Sequence, residues 1–321
     1  MDRVRTAVIG AGYFGSHHAR KHAAIPTADL VAVCDVSEAA AARLAGEVGC
    51  EVVTDHRDLV GRVDAVSIAT PTAFHFPVAR DLIEAGIGVL IEKPLCATLA
   101  EADQLIGLSR ERGVVLQVGH LERFNATVAA LEPLIDRPGF IQCDRISPYR
   151  GRGTDVSVVM DMMIHDIDLV LTLVRSPIEW IDAVGVPVLS DADDISSARI
   201  RFESGCVATF TASRVSWKTQ RTMRVFQHNA YLMADLNEGK LTVTRRTATE
   251  DGGTQLTSDT RTHEKRDALE AEVAAFIEAV RTGSQPKVSG EDGRAALEAA
   301  LEINRLMRAW TDRQRRAHAG Q

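Results

Sequence analysis

Three clusters of residues in this 321-residue chain have types and spacings that could do chemistry. The first is Gly10-x-Gly12-x-x-Gly15, which follows the apolar run Thr6-Ala-Val-Ile9 and opens into a helix-compatible segment. Gly10 permits a tight turn, Gly12 lets the backbone approach a pyrophosphate, and Gly15 lets helix and strand pack closely. The start of a helix also offers free N–H groups and a positive dipole end to phosphates. A second strand, Leu30-Val-Ala-Val-Cys-Asp35, ends in an acidic residue at the spacing a ribose contact requires. Together they read as a dinucleotide site. Asp35 can accept from both ribose hydroxyls but would repel a 2′-phosphate, and Val36 and Ser37 bring no cation to receive one, so NAD is expected rather than NADP.

The second cluster is Ala69-Thr70-Pro71-Thr72 with Glu92-Lys93-Pro94, two motifs that follow apolar runs read as the fourth and fifth strands. Ligands of open α/β sheets bind at such carboxyl ends. A lysine there could be a phosphate or ribose contact, or could stabilise an alkoxide or tune a neighbouring base. The third cluster is Asp161-Met-Met-Ile-His165-Asp166-Ile-Asp168. At about 100° per residue of α-helix, Asp161 and His165 share one face, Asp168 lies close by and Asp166 turns away. That stripe suits a polar cleft, and also a helix face with plain i, i+4 pairing. Histidine and aspartate are metal ligands too, but no second cluster supplies a third or fourth ligand, so no metal is expected.

Positioning these groups takes two kinds of architecture. Up to about residue 120, strands at 4–9, 30–34, 51–53, 64–69, 87–91 and 114–118 alternate with helical patterns such as Ser37–Val48, Phe76–Glu84 and Leu99–Arg112. This is the grammar of a doubly wound parallel sheet, a Rossmann domain over 1–120, and the near-continuous apolar strands suit burial on both faces. From 121 to 321 the pattern predicts an α+β domain with a large, mainly antiparallel sheet. Helices are expected at 122–135 and 156–174, and strands at 139–147, 178–188, 195–203, 206–214, 221–228 and 230–236. Ser204-Gly205 marks a hairpin turn. The polar stretch 246–266 reads as a mobile loop or poor hairpin, helices at 268–281 and 291–310 close the chain, and the basic tail 313–321 is expected to fray.

Composition narrows the function classes. The chain is 45% apolar and 25% charged, ordinary for a globular protein, and too long for one ordinary core. A formal charge of −7 argues against a nucleic-acid-binding surface. Cys34, Cys50, Cys96, Cys143 and Cys206 are scattered, odd in number and form no C-x-x-C, as expected of small buried thiols in a reducing compartment. No apolar run reaches membrane-spanning length, and the N-terminus enters the first strand directly, leaving no room for a signal peptide. A cytoplasmic enzyme with neither a membrane nor a nucleic-acid partner is expected.

The chain resembles the glucose–fructose oxidoreductase/inositol dehydrogenase (Gfo/Idh/MocA) family over nearly its whole length. The marks are Gly10-x-Gly-x-x-Gly15, Ala69-Thr-Pro71 followed by His75, Glu92-Lys93-Pro94, Gly119-His-Leu-Glu-Arg123-Phe-Asn125 and Asp161-x-x-x-His165-x-x-Asp168. The resemblance implies Lys93 and His165 at the reacting carbon, with Asp161 beside the histidine. The cofactor set is Gly10, Gly12, Tyr13, Phe14, Gly15, Asp35, Thr70, Pro71, His75, Glu92 and Lys93; His165 meets the substrate, Arg123 and Asn125 are candidates for substrate contact and Arg152 for the diphosphate, with a structural role as the alternative for each of these three. The chain departs from the family at Asp155-Val-Ser-Val-Val-Met160 and Met163, where many members carry glycines, so a local pocket shape of its own is expected there. Within the family, Arg150-Gly-Arg-Gly-Thr-Asp155, Met163-Ile-His-Asp-Ile-Asp168 and Thr211-Ala-Ser-Arg214 look similar to dehydrogenases that oxidise the 3-hydroxyl of UDP-N-acetylglucosamine in lipid A synthesis. That subfamily implies a nucleotide-sugar substrate, an aminotransferase as pathway partner, and a homo-oligomer, dimer or tetramer, formed through the second-domain sheet. Another polyol such as inositol, or a non-catalytic nucleotide sensor with the same fold, remains an alternative reading.

Overall fold

The computed structural model describes residues 3–149, 156–249, 253–264 and 266–319. The chain divides into two compact units, Met1–Phe124 with Asp267–Leu297, and Asn125–Arg266 with Glu298–Gln321.

In the first unit six parallel strands alternate with helices: β1 (Val4–Ile9), α1 (Tyr13–Ala24), β2 (Ala28–Cys34), α2 (Glu38–Val48), β3 (Glu51–Val53), β4 (Ala65–Ile68), α3 (His75–Glu84), β5 (Gly88–Glu92), α4 (Leu99–Arg112) and β6 (Leu116–Gly119). Their spatial order is β3-β2-β1-β4-β5-β6, the doubly wound order expected, with the reversal of winding between β1 and β4. Central strands such as β4 are buried at every residue, which is why their sequences run apolar without alternation. The helices begin and end on local signals. Thr98 and Glu101 form a reciprocal capping box at the start of α4, and Gly113 ends it in the left-handed conformation (φ +65°).

The second unit carries α5 (Ala126–Leu131), β7 (Pro138–Ile146), α6 (Ile164–Val174), β8 (Ile178–Val186), β9 (Ile195–Phe202), β10 (Val207–Ser213), β11 (Gln220–Gln227), β12 (Ala230–Asp235), β13 (Lys240–Ala248) and β14 (Thr254–Thr262). They form an eight-stranded sheet in the order β14-β13-β12-β11-β7-β10-β9-β8, antiparallel throughout except for the central β7–β10 pair. Alternation of buried and open residues along β9, and along β10 up to Ala212, gives the sheet one packed face, and Phe202 and Phe210 are among the largest side chains wholly buried there. The hairpin between these strands turns at Gly205 (φ +88°), as the sequence indicated.

Two local expectations are corrected and one is decided. The helix expected over 122–135 is broken into a 3₁₀ turn at Leu121–Phe124, α5, and a second 3₁₀ turn at Glu132–Leu134, because Asn125 caps a fresh helix and Pro133 tightens its end. The polar stretch 246–266 takes the hairpin reading and not the mobile-loop one: it holds the last three residues of β13 and all of β14, which pair over nine residues. β14 is exposed along its whole length, so it has no buried face to imprint alternation on its sequence. Cross-strand hydroxyl pairs, Thr242–Thr260 at 2.9 Å and Thr244–Ser258 at 3.0 Å, supplement its ladder. The helix expected from 156 opens instead as a π-helical segment, Val159–Met163, before α6 begins.

The chain then returns to the first unit. α7 (Ala268–Thr282) buries Val273, Phe276 and Ile277 in one cluster with Val4, Ala65 and Leu90. α8 (Gly290–Ala319) begins at Gly290 and Gly293, where a Cβ would lie within 2.7 Å of Leu116 and 2.6 Å of Val118, so a side chain at either position would force those neighbours on β6 to shift. Its later turns belong to the second unit, where Met307 packs so closely on β8 that a Cβ at Gly185 would lie 2.2 Å from the methionine Cε. The basic tail continues this helix through Ala319.

Candidate active site

The glycine loop shows three different reasons for three glycines. Gly10 has φ +98°, and a Cβ there would sit 2.6 Å from the Ala69 carbonyl oxygen at the end of β4. At Gly15 a Cβ would fall 1.6 Å from the Gly10 oxygen, so the first turn of α1 could not rest on the loop. Gly12 meets nothing within 4 Å, which leaves open backbone at the helix entrance. α1 has no side-chain cap and no acidic residue in its first turn, so its positive end is not neutralised by its own sequence. Tyr13 and Phe14 stand at that entrance, 60% and 53% exposed. Asp35, at the end of β2, is held by two backbone donors: Ala11 N–H to Oδ2 at 2.7 Å and Ser37 N–H to Oδ1 at 2.8 Å. Each carboxylate oxygen accepts through more than one lone pair, so this fixed group can still take hydroxyl donors. The residues present fit a dinucleotide.

The ends of β4 and β5 are tied together. His75 is 1% exposed, with Nε2 2.9 Å from the Thr70 oxygen and Nδ1 2.9 Å from the Pro94 oxygen. Burial pushes its imidazole below the usual range, and the two carbonyls offset this only in part. Expected among the cofactor contacts, His75 has both ring nitrogens facing backbone carbonyls; the neutral ring donates to one of them, between the loops that carry Thr70-Pro71 and Lys93. Glu92 is likewise turned inward. Its Oε1 accepts from His18 Nε2 at 2.8 Å, and its Oε2 accepts the Lys93 backbone N–H at 3.2 Å. Lys93 itself is half-buried.

The expected substrate residues part company. Arg123 is 9% exposed and its guanidinium lies 3.5 Å from Asp292 of α8, which makes it an internal ion pair of the first unit. Asn125 caps α5 by accepting the Thr127 N–H at 2.9 Å. Arg152 lies outside the described residues, as do Arg150 and Asp155.

In the second unit, Asp161 stands within the π-helical segment and His165 in the first turn of α6. The i, i+4 stacking argued from α-helical geometry therefore does not carry over unchanged, because the π turn inserts a residue and shifts the phase. Both side chains are half-buried, whereas Asp168 is 1% exposed and goes into the interior. Asp166 turns to β7, where Arg145 holds it through two bonds of 2.9 and 2.8 Å, both groups buried. That pair fixes the rotation of α6, and His165 leaves the helix about 100° further round.

All five cysteines are free. Burial holds Cys34 and Cys96 up at about 12 and Cys206 at about 11, so these thiols are not nucleophiles at neutral pH. Sequence reasoning missed His18. His18 lies in the second turn of the glycine-motif helix, and its only signal was being a histidine inside an otherwise cofactor-shaped segment.

Residues 4–120 match the model of an oxidoreductase family with an NAD-binding Rossmann fold, and residues 140–232 match the Gfo/Idh/MocA C-terminal domain. The UDP-N-acetylglucosamine 3-dehydrogenase of Acidithiobacillus ferrooxidans is 37% identical, covering 98% of this chain and 100% of the relative. The chain belongs to the Gfo/Idh/MocA family. It is an oxidoreductase, one of the family's NAD-dependent sugar dehydrogenases, and its first unit is an NAD-binding Rossmann domain. A solved structure of the Acidithiobacillus protein superposes with a TM-score of 0.91 over 96% of this chain and 99% of that one, at 36% identity. The Gfo/Idh/MocA chain is also 28% identical to the myo-inositol 2-dehydrogenase of Thermotoga maritima, over 92% of this chain and 93% of that one. No helix among the described residues is long and apolar enough to cross a membrane.

Proposed function

We propose that this protein oxidises the 3-hydroxyl of UDP-N-acetylglucosamine to the 3-keto sugar nucleotide, with NAD preferred over NADP. The observation that carries the substrate is likeness along 98% of the chain, at 37% identity, to a protein named for that reaction. The observation behind the cofactor preference is Asp35, a carboxylate pinned by two backbone N–H groups and followed by Val36, Ser37 and Glu38, none of them cationic. Gly12 and the uncapped start of α1 would take the pyrophosphate, and the Thr70-Pro71 and Lys93 loops the nicotinamide end. NAD supplies the hydride acceptor. His165, with Asp161 as its partner, takes the hydroxyl proton, and Lys93 steadies the developing alkoxide with its positive charge. Arg152 is assigned to the diphosphate, a remote charge whose binding energy helps position the reacting carbon.

Incubation with NAD and UDP-N-acetylglucosamine, followed by mass spectrometry, should show loss of two hydrogens, and trapping with an aminotransferase should place nitrogen at carbon 3. Activity should exceed that with free N-acetylglucosamine or inositol by at least roughly a hundredfold. Equal activity on free inositol, the substrate named for the Thermotoga relative, would overturn the nucleotide-sugar assignment and leave the family standing.

A further inference from the structure

Behind the lysine loop, within the first unit, lies a buried ionisable group that the proposed chemistry does not use. His18 on α1 is 1% exposed, and its Nε2 is 2.8 Å from Glu92 Oε1. The other oxygen of the same carboxylate accepts the backbone N–H of Lys93. Room for this arrangement comes from β6: a Cβ at Gly119 would lie 3.1 Å from Glu92 Cα and 3.2 Å from its Oε2. A carboxylate oxygen of Glu272 on α7 completes a trio whose ligating atoms lie within 4.8 Å of one another. Such a trio could hold a divalent cation, but donors on tetrahedral zinc sit about 3.3 Å apart. The 2.8 Å contact is a hydrogen bond, and it occupies His18 Nε2 and Glu92 Oε1.

We propose that His18 is a positioning residue for Lys93: through Glu92 it fixes the backbone from which the lysine side chain departs. Since Glu92 is an acceptor, His18 donates, and one carboxylate joins the helix that opens at the glycine loop to the lysine turn at the end of β5. Burial alone would push the Glu92 carboxyl up. The His18 hydrogen bond and the nearby positive charge of Lys93 outweigh it and hold the group below the usual carboxylate range, so the link stays ionised. Losing the donor leaves a part-buried carboxylate short of a partner, and the loop must move to resolvate it. The inference rests on the reading that Lys93 acts on the alkoxide.

The test uses His18→Ala, His18→Gln and Glu92→Gln in the full chain, with two independent readouts. In the proposed reaction, His18→Ala should lower kcat roughly 10- to 100-fold with KM for NAD nearly unchanged, the signature of misplacement rather than lost cofactor binding. His18→Gln, whose amide N–H can reach the same oxygen, should recover most of the loss, and His18→Ala combined with Glu92→Gln should cost little more than either alone. The second readout needs no substrate: acetylation of Lys93 by acetic anhydride, followed by peptide mass spectrometry with Lys218 and Lys240 as internal references, should change in His18→Ala and not in His18→Gln. If His18→Ala fails to fold, the Gln and Glu92→Gln variants carry both readouts. Unchanged Lys93 labelling, additive losses, or a loss confined to KM for NAD would overturn the proposal. So would stoichiometric zinc in the wild-type protein that Glu272→Gln removes. Full activity in Lys93→Met would instead overturn the catalytic reading of the lysine, and the labelling result would then decide the positioning link alone.

Discussion

The glycine loop of the first unit and the entry to α6 in the second both deliver chemistry-bearing residues from a backbone turn, but they are specified differently. In the loop, backbone atoms alone dictate residue type: the Ala69 and Gly10 oxygens stand where the Cβ atoms of Gly10 and Gly15 would go. At α6 the rotation that aims His165 depends on packing, above all on the buried Arg145–Asp166 pair. Steric exclusion leaves a mark that one sequence can display. Packing among side chains far apart in the chain leaves none that is local.

The contrast can be broken most directly at the glycines. Gly15→Ala should leave little folded protein, a loss above about 4 kcal/mol, since no flexible side chain can yield to the new methyl group. Gly12→Ala should melt within a few degrees of wild type yet bind NAD at least roughly tenfold more weakly, by calorimetry. Equal effects at the two positions would contradict the division of labour in the loop.

Next in size are the reacting groups, one from each unit. Lys93→Met should lower turnover roughly a hundredfold or more while leaving the fold and most of the NAD affinity intact. His165→Asn should lose roughly two to four orders of magnitude and flatten the acidic limb of the rate profile. An unchanged profile would move the base role to Lys93. For packing at α6, Asp166→Leu should cost about 3–5 kcal/mol in urea unfolding, because it strands the buried Arg145 guanidinium, whereas Arg145→Met with Asp166→Leu should recover most of it. A double variant as unstable as the single would mean that the pair is not what sets the helix.

Smaller effects sharpen the first unit further. Burial, helped by the neighbouring His18, holds His22 at about 3, far below an exposed imidazole. The unfolded chain therefore binds the extra proton between about pH 6.5 and 3, and stability is full above that window and falls as pH drops through it. From pH 7 to 5 this group should account for about 2 kcal/mol of lost stability, which His22→Gln should abolish in denaturant titrations at the two pH values. Last, catalytic efficiency with NAD should exceed that with NADP by at least roughly tenfold, about 1.4 kcal/mol, and parity would remove Asp35 from the ribose.

Much of the first unit could be read from the chain because its signals are short-range. Gly10, Gly12 and Gly15 lie within six residues, the strands are apolar runs, and Thr98 with Gly113 brackets α4. The second sheet was legible wherever one face is buried, as in β9 and β10, and illegible in β14, where both faces are open. Among site residues, Lys93 and Asp35 could be found because they follow strand ends. His75, Arg123 and Asn125 were marked by motif alone, and only coordinates show them occupied with the Thr70 and Pro94 carbonyls, with Asp292 and with the Thr127 N–H.

By itself, then, the amino-acid sequence determined what the backbone of one segment can and cannot do: a glycine turn against a strand end, an acid at the end of β2, a lysine after β5. Those constraints act over a few residues and are steric or electrostatic, so residue type is enough to state them. Tertiary structure alone decided which partner each polar group takes. His18 finds Glu92 across 74 residues and Arg145 finds Asp166 across 21, and α7 returns from far along the chain to cover strands of the first sheet. Such choices are settled by the cost of burying a charge unpaired, and that cost exists only once the chain has folded.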